Sequence, residues 1–225
     1  MTKERRPALN RRTFIVAGAG AAVGFLVGRY SEAAGELRKE PRLYFPETGH
    51  SIKPPFLDFF RKYGLEVTGY PISEPTPEGG KQYFQNIIVE YGENDYYDYF
   101  GGRPKENGVP QCRVYPLGWT VLCRQRYPSE PLNPPPPKIG EYKLHELFEG
   151  FYGSHGGIEI FGYPVTEHSA VGTNAIMQFL TNCILLSSLE TGEVAVSRLA
   201  EYYYQVKMPE AEKNHPWFQP VAKKE

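Results

Sequence analysis

Cysteine is scarce in this chain of 225 residues, with only Cys112, Cys123 and Cys183. None sits in a CxxC pair or at a Cys/His spacing that holds zinc or haem. Charge of one sign is also lacking. The net charge of -1 gives no support for a nucleic-acid partner. Long hydrophobic runs are missing too. The apolar stretch Phe14–Val27 covers 14 residues, short of the roughly 20 that a membrane-spanning helix needs. The signatures GxSxG, HExxH, GxGxxG and the P-loop do not occur. His145 and His155 stand isolated, and nothing nominates a Ser/His/Asp triad.

What remains is an ordinary globular balance, 40% hydrophobic and 23% charged, neither disordered nor fibrous. The length suits one domain or two small ones. Aromatics reach 14%, with 17 Tyr. A tyrosine carries an apolar ring and a polar tip, so it serves a core and a binding surface alike.

Residues 1–33 read as an address. A basic stretch (Lys3, Arg5, Arg6, Arg11, Arg12) precedes the apolar run, in the order of a secretory signal peptide. The sequence Asn10-Arg11-Arg12-Thr13-Phe14-Ile15 resembles the twin-arginine (Tat) export signal, matching it at Arg11, Arg12 and Phe14. It departs from that pattern where Asn10 stands in place of Ser or Thr, and it lacks the frequent later Lys. Ser31-Glu32-Ala33 offers a small-x-small cleavage site; an uncleaved membrane anchor is the alternative. No Cys lies at the end of the run, which argues against a lipoprotein. Six basic and two acidic residues give this segment +4, leaving -5 on the remainder. Export permits disulfides. Cys112 and Cys123 are close enough in sequence to pair across neighbouring elements, while Cys183 reads as a buried structural thiol.

The rest of the chain resembles itself. Residues 64–74 read GLEVTGYPISE and residues 157–167 read GIEIFGYPVTE, with six identities among eleven positions. Upstream, Phe56, Phe59, Phe60 and Tyr63 share the i, i+3, i+4, i+7 spacing of Leu144, Leu147, Phe148 and Phe151. Each set is one apolar stripe of a short helix. Pro54 and Pro55 suit a first turn, and Gly64 suits a C-cap. Downstream, Lys81–Tyr91 and Met177–Leu186 are β-rich and read as strands or hairpins. Gln82, Phe84, Asn86 and Ile88 align there with Gln178, Leu180, Asn182 and Ile184. Val114–Arg126 and Val194–Gln205 close the two copies, the second as a strand start and a helix.

The expected fold is therefore α+β, two related helix–turn–strand repeats joined by a proline-rich linker. Repeat 1 covers 42–127, the linker 128–137, repeat 2 138–206, and a polar, loosely held tail 207–225. Six of the ten linker residues are proline, which favours a semi-rigid extended spacer. A unit this small buries only about 60% of its unfolded surface, so the two are expected to pack together or to rely on separate aromatic clusters.

The run Tyr44–His50 (YFPETGH), then Phe56–Gly64, GYPISE and Gln82–Phe84, resembles an uncharacterised repeat of exported bacterial proteins. That repeat carries Gly-Tyr-Pro, then Ile or Val, Ser or Thr, and Glu. It often accompanies domains that act on cell wall or polysaccharide. A more distant similarity is to the LGFP repeat of bacterial envelopes. The resemblance covers 43–91 well and 144–186 in part; the second copy lacks the FPETGH opening. It implies an exported, non-catalytic module and names no ligand.

Each candidate residue has two readings. Glu74 and Glu167 are either a glycosidase pair, which needs carboxyls about 5–10 Å apart, or turn caps serving each unit. The second is favoured, because a duplicated residue serves the unit. Tyr70 and Tyr163 are sugar-stacking platforms or core residues wedged by the following proline. Gln82 and Gln178 present amides to a ligand or satisfy the turn backbone. His50 is a ligand contact or a loop histidine bonded to backbone; no second ligand at a metal spacing accompanies it. Asp95, Asp98, Tyr96, Tyr97 and Tyr99 form an acidic aromatic loop without the Gly and Glu of an EF-hand, read as a contact loop.

The expected function is that of an exported binding module of the cell envelope, contacting polysaccharide or peptidoglycan. Its partners are the Tat translocation machinery and cell-wall polysaccharide or an envelope protein, with no cofactor, no metal and no nucleic acid. A protein–protein adaptor is the second reading, and a glycan hydrolase using Glu74 or Glu167 the third.

Overall fold

A computed structural model describes residues 41–76, 80–92, 111–126 and 139–221. Arg11, Arg12, Phe14, the linker 128–137 and the loop residues Asp95–Tyr99 lie outside the described residues. The chain from Glu40 onward clusters as one unit. It mixes helices and antiparallel sheets, an α+β fold.

The first half opens with strands β1 (Leu43–Phe45) and β2 (His50–Ile52), paired antiparallel. Helix α1 (Phe56–Thr68) follows. Its apolar stripe is inward: Phe56, Phe59 and Phe60 are buried, and Tyr63 packs against the same core. The helix breaks at Gly64, resumes for one turn, and ends at Gly69. Gly69 has φ 69° and ψ -177°, a region open in practice only to glycine. A Cβ there would also stand 2.8 Å from the Gln85 Cβ. The chain then turns through Tyr70 and Pro71 into strands β3 (Lys81–Tyr83), β4 (Ile88–Gly92) and β5 (Gln111–Val114), one antiparallel sheet in that order. Helix α2 (Leu117–Arg126) closes this half.

The expected strand over Lys81–Tyr91 is thus a tight hairpin. The Phe84 N–H closes its turn on the Ile87 carbonyl at 3.0 Å. No glycine or proline marks the turn. The Asn86 side-chain amide replaces that signal by donating to the Val67 carbonyl at 3.1 Å, which ties the turn to the helix end.

The second half contains helices α3 (Glu146–Ser154) and α4 (Gly157–Phe161), then strands β6 (Ser169–Val171), β7 (Ala175–Phe179), β8 (Ile184–Ser188) and β9 (Val194–Val196) in one antiparallel sheet. Helix α5 (Leu199–Tyr202) runs on into a π-helical turn, Tyr203–Lys207. Residues 177–186 are likewise a hairpin, closed by the Leu180 N–H on the Cys183 carbonyl at 2.9 Å. Gly162 (φ 72°, ψ -161°) ends α4 as Gly69 ends α1. The Asn182 amide donates to the Ile160 carbonyl at 3.0 Å, as Asn86 does to Val67.

One apolar core serves both halves. Phe56, Phe84, Phe148, Phe161, Leu180 and Leu185 belong to a single buried cluster. Burying each such side chain contributes about 1.5–3 kcal/mol. A smaller cluster joins Ile88, Leu117 and Val121 to Ile184, Leu199 and Ala200.

The tail is not loose. Helix α6 (Glu210–Lys213) and a 3-10 turn (Pro216–Phe218) carry it back over the first half. Met208 and Phe218 are buried, and the Val221 N–H donates to the Gly49 carbonyl at 2.8 Å. The polar composition hid these two apolar anchors. Cys112, Cys123 and Cys183 are all reduced thiols, so Cys112 and Cys123, close enough in sequence to pair, do not. Burial pushes the Cys112 thiol up to about 12 and raises Cys183, which is fully inside the core. No described helix is long and apolar enough to cross a membrane.

Candidate functional site

The two Gly-Tyr-Pro corners hold most of the residues singled out by sequence. At each corner the proline, lacking an N–H, forms an isolated bridge to the hairpin: Pro71 with Phe84, and Pro164 with Leu180. Flanking amides complete the junction. The Ile72 N–H donates to the Tyr83 carbonyl and the Val165 N–H to the Phe179 carbonyl, both at 2.9 Å.

Gln82 and Gln178 lie beneath these corners, 0% and 1% exposed. The Gln82 amide donates to the carbonyls of Ser51 (2.8 Å) and Ser73 (2.9 Å). The Gln178 amide donates to those of Lys143 (2.8 Å) and Thr166 (2.9 Å), and its oxygen accepts from the His145 N–H at 3.0 Å. Each glutamine therefore staples the hairpin to the corner and to an upstream segment. Both amides are enclosed and spent on backbone carbonyls, which favours the second of the two roles weighed for them.

Glu74 is committed in part as well. Its Oε1 accepts the Ser51 N–H at 2.6 Å. His50 Nδ1 stands 3.8 Å from the same oxygen, and Lys53 Nζ 4.0 Å from Oε2. The Glu74 backbone N–H donates to the Trp217 carbonyl at 2.7 Å. His50 is a buried strand residue, paired with Phe45. It is not in a loop, and it is too enclosed to be a surface contact. Glu167 occupies the aligned position and is exposed. One carboxylate is thus part of the fold and the other faces water.

Tyr70 and Tyr163 are half-buried. The Tyr70 ring meets Phe45 edge-on at 5.7 Å. Its N–H donates to the Gln85 side chain at 3.3 Å, and the Tyr163 N–H to the Thr181 hydroxyl at 3.1 Å. Tyr70 is thus packed on the core while partly exposed, and Tyr163 is partly exposed as well.

Sequence reasoning missed a polar cluster on the outer face of β3 and β4. Lys81 Nζ stands 2.6 Å from Glu90 Oε1 and 5.0 Å from the centre of the Tyr115 ring. Glu90 is buried and Lys81 partly exposed. Burial pushes Tyr83 up to about 12 and raises Tyr115, so both phenols are neutral at physiological pH. Burial pulls Lys81 down, but its hydrogen bond to Glu90 and the attraction of that charge and the neighbouring phenols together raise it overall. The signal was present in the sequence: Lys81, Tyr83 and Glu90 align with Met177, Phe179 and Leu186. Among the described residues no group of three or more His, Cys, Asp or Glu side chains is arranged to hold a metal ion.

Compared with protein-family models and with curated proteins, the chain matches none.

Proposed function

We propose that the chain is an exported, non-catalytic binding module built from two copies of one helix–corner–hairpin unit, and that it contacts polysaccharide or peptidoglycan at the cell envelope. The duplication is supported by matching bonds at aligned residues: the glutamine staples, the asparagine ties to the preceding helix, and the proline bridges. The observation that carries the binding reading is where the shared polar residues go. Gln82, Gln178 and one oxygen of Glu74 are tied to backbone, while Tyr70 and Tyr163 keep a solvent-facing edge. A rigid frame with half-exposed rings suits stacking on the apolar face of a sugar. A hydrolase pair is disfavoured, because one oxygen of Glu74 is spent on the Ser51 N–H and Glu167 stands exposed in water. The basic, then apolar N-terminus supports export through the Tat machinery.

Co-sedimentation of the full-length chain with isolated cell wall tests this reading. Wild type is expected to pellet, and folded Tyr70→Ala and Tyr163→Ala variants to pellet less. Wild type remaining in the supernatant at every salt concentration removes the polysaccharide reading and favours a protein partner. Release of reducing sugar that Glu74→Gln or Glu167→Gln abolishes would instead establish the hydrolase.

A further inference from the structure

The two Gly-Tyr-Pro corners are built alike up to one residue. Ser73 aligns with Thr166, and Glu74 with Glu167. The Ser73 hydroxyl accepts the Tyr83 N–H at 3.0 Å, and the Thr166 hydroxyl accepts the Phe179 N–H at 3.3 Å. Gln82 and Gln178 each donate to the carbonyl of that Ser or Thr. Each also donates to one carbonyl of an upstream segment, Ser51 in the first half and Lys143 in the second. Ser51 and Lys143 therefore hold equivalent places beside their corners.

At the glutamates the match ends. Two other segments of the chain close on Glu74. Its N–H donates to the Trp217 carbonyl at 2.7 Å, and its carboxylate accepts the Ser51 N–H at 2.6 Å. Lys53 Nζ stands 4.0 Å from the second oxygen. The second copy lacks the FPETGH opening that supplies Ser51, and the tail that supplies Trp217 lies over the first half. Among the described residues Glu167 makes no hydrogen bond through its N–H or its carboxylate, and no ion pair. It is exposed, and so is Lys143, which does not close on it.

The first corner thus shows what this arrangement binds. One residue offers a donor N–H and an acceptor carboxylate. Extended peptide answers both, with a carbonyl for the first and an N–H for the second. The carboxylate's charge adds a preference for an amine, as Lys53 supplies at Glu74. Exposed glutamates are common and most bind nothing. Glu167 differs from those because its aligned copy, on the same frame of Gln, Ser or Thr and Pro, does hold peptide. The second half also closes without any bond from Glu167, so the fold does not account for it.

We propose that the second corner is a peptide-binding site, in which Glu167 takes an extended peptide that bears a free amine. Its N–H meets a ligand carbonyl, and its carboxylate meets a ligand N–H and the ammonium. This rests on the reading of the chain as an envelope-binding module, and it names the peptide portion of peptidoglycan as the ligand at this corner.

Calorimetric titration of the full-length chain with the N-acetylated stem peptide L-Ala-γ-D-Glu-L-Lys-D-Ala tests the site. Wild type is expected to bind, and Glu167→Ala to bind at least threefold more weakly. Acetylating the lysine amine of the peptide is expected to weaken its binding to wild type at least threefold as well. Glu167 holds nothing in the fold, so the variant is expected to keep the melting temperature of wild type. Glu167→Gln, which keeps the shape and loses the charge, is the second variant and is held to the same threshold. Co-sedimentation with isolated cell wall separates this site from the module reading. Wild type that pellets with wall but binds no stem peptide overturns the site and leaves the module standing. Weakening of less than threefold in the folded variants overturns the site in the same way. Wild type that neither pellets nor binds the peptide overturns both.

Discussion

The backbone N–H of Trp119 donates to the carbonyl of Thr181 at 2.9 Å, joining the start of α2 to the hairpin turn of the other half. The reverse bond exists as well. The Glu201 N–H, at the start of α5, donates to the Gln85 carbonyl at 2.9 Å. Gln85 and Thr181 occupy aligned turn positions, and Leu117 and Leu199 lead into the two helices side by side in the smaller cluster. Each half therefore closes on the other through the same surface, as in a two-fold interface.

That closure depends on a missing side chain. A Cβ on Gly118 would overlap the Leu180 carbonyl oxygen and stand 2.7 Å from the Cys183 carbonyl oxygen. The aligned residue in the second half is Ala200, fully buried, so that side has room for one methyl. Gly118→Ala is expected to cost about 1–3 kcal/mol or more, since overpacking against backbone cannot relax by a rotamer change. Ala200→Gly is expected to cost only about 1 kcal/mol. Urea denaturation of the two variants compares them. Equal losses, or none at Gly118, would contradict the close approach.

The glutamine staples predict a stability effect at sites with no exposed surface. Gln82→Ala strands the Ser51 and Ser73 carbonyls inside the protein. Each buried acceptor left unpaired costs about 1–3 kcal/mol, so a loss of several kcal/mol is expected in urea. Glu74→Ala removes the acceptor of the Ser51 N–H and is expected to cost about 1–3 kcal/mol. Glu74→Gln keeps an oxygen there and is expected to recover most of that. A Gln82→Ala variant of wild-type stability would show that water replaces the amide.

Some of this was legible in the sequence. The stripe Phe56, Phe59, Phe60, Tyr63 declared a helix because an amphipathic surface repeats at the helical period. Gly69 and Gly162 declared corners because few residues other than glycine adopt their backbone angles. QYFQNIIVEY left strand and hairpin open, since its turn is set by Asn86 reaching back to Val67, a bond between residues far apart in the chain. Nothing in the sequence marked Lys81 and Glu90 as a pair with a buried carboxylate. Their burial comes from what packs over the sheet. Gln82 and Gln178 were visible as recurring positions, but whether a polar side chain points into the fold or out of it is decided by strand register.

Alkaline pH is expected to unfold the protein earlier than its exposed tyrosines alone would. Tyr83 is pushed up by burial from 10.0 to about 12. Tyr152, whose hydroxyl donates to the Gly162 carbonyl at 3.0 Å, is also pushed to about 12 by burial. The unfolded chain releases these protons near 10 while the folded chain holds them. Above pH 10 the unfolded state thus binds fewer protons, and stability falls as pH rises. The tyrosine contribution is complete below about pH 10 and lost by about pH 12. Lys81, raised above 10.5 overall, acts in the same direction. Urea midpoints measured from pH 8 upward are expected to be flat and then to fall past pH 10. Tyr83→Phe should make that fall shallower. An unchanged slope would mean that Tyr83 titrates as if exposed.

The tail supplies a last prediction, because it touches the two places where the first half departs from the second. Phe218 is 5% exposed. It meets Tyr83 edge-on at 5.0 Å and stacks on Tyr204 at 4.6 Å. The neighbouring Trp217 carbonyl accepts the Glu74 N–H, and Val221 closes onto Gly49. The tail thus braces Tyr83 from one side and the Glu74 corner from the other. Phe218→Ala is expected to cost about 3 kcal/mol, the lower end for deleting a buried aromatic side chain. Limited trypsin digestion gives the local readout: cleavage after Lys213 should quicken in Phe218→Ala before the rest of the chain is cut. Cleavage at the wild-type rate would show that Phe218 does not hold the tail in place.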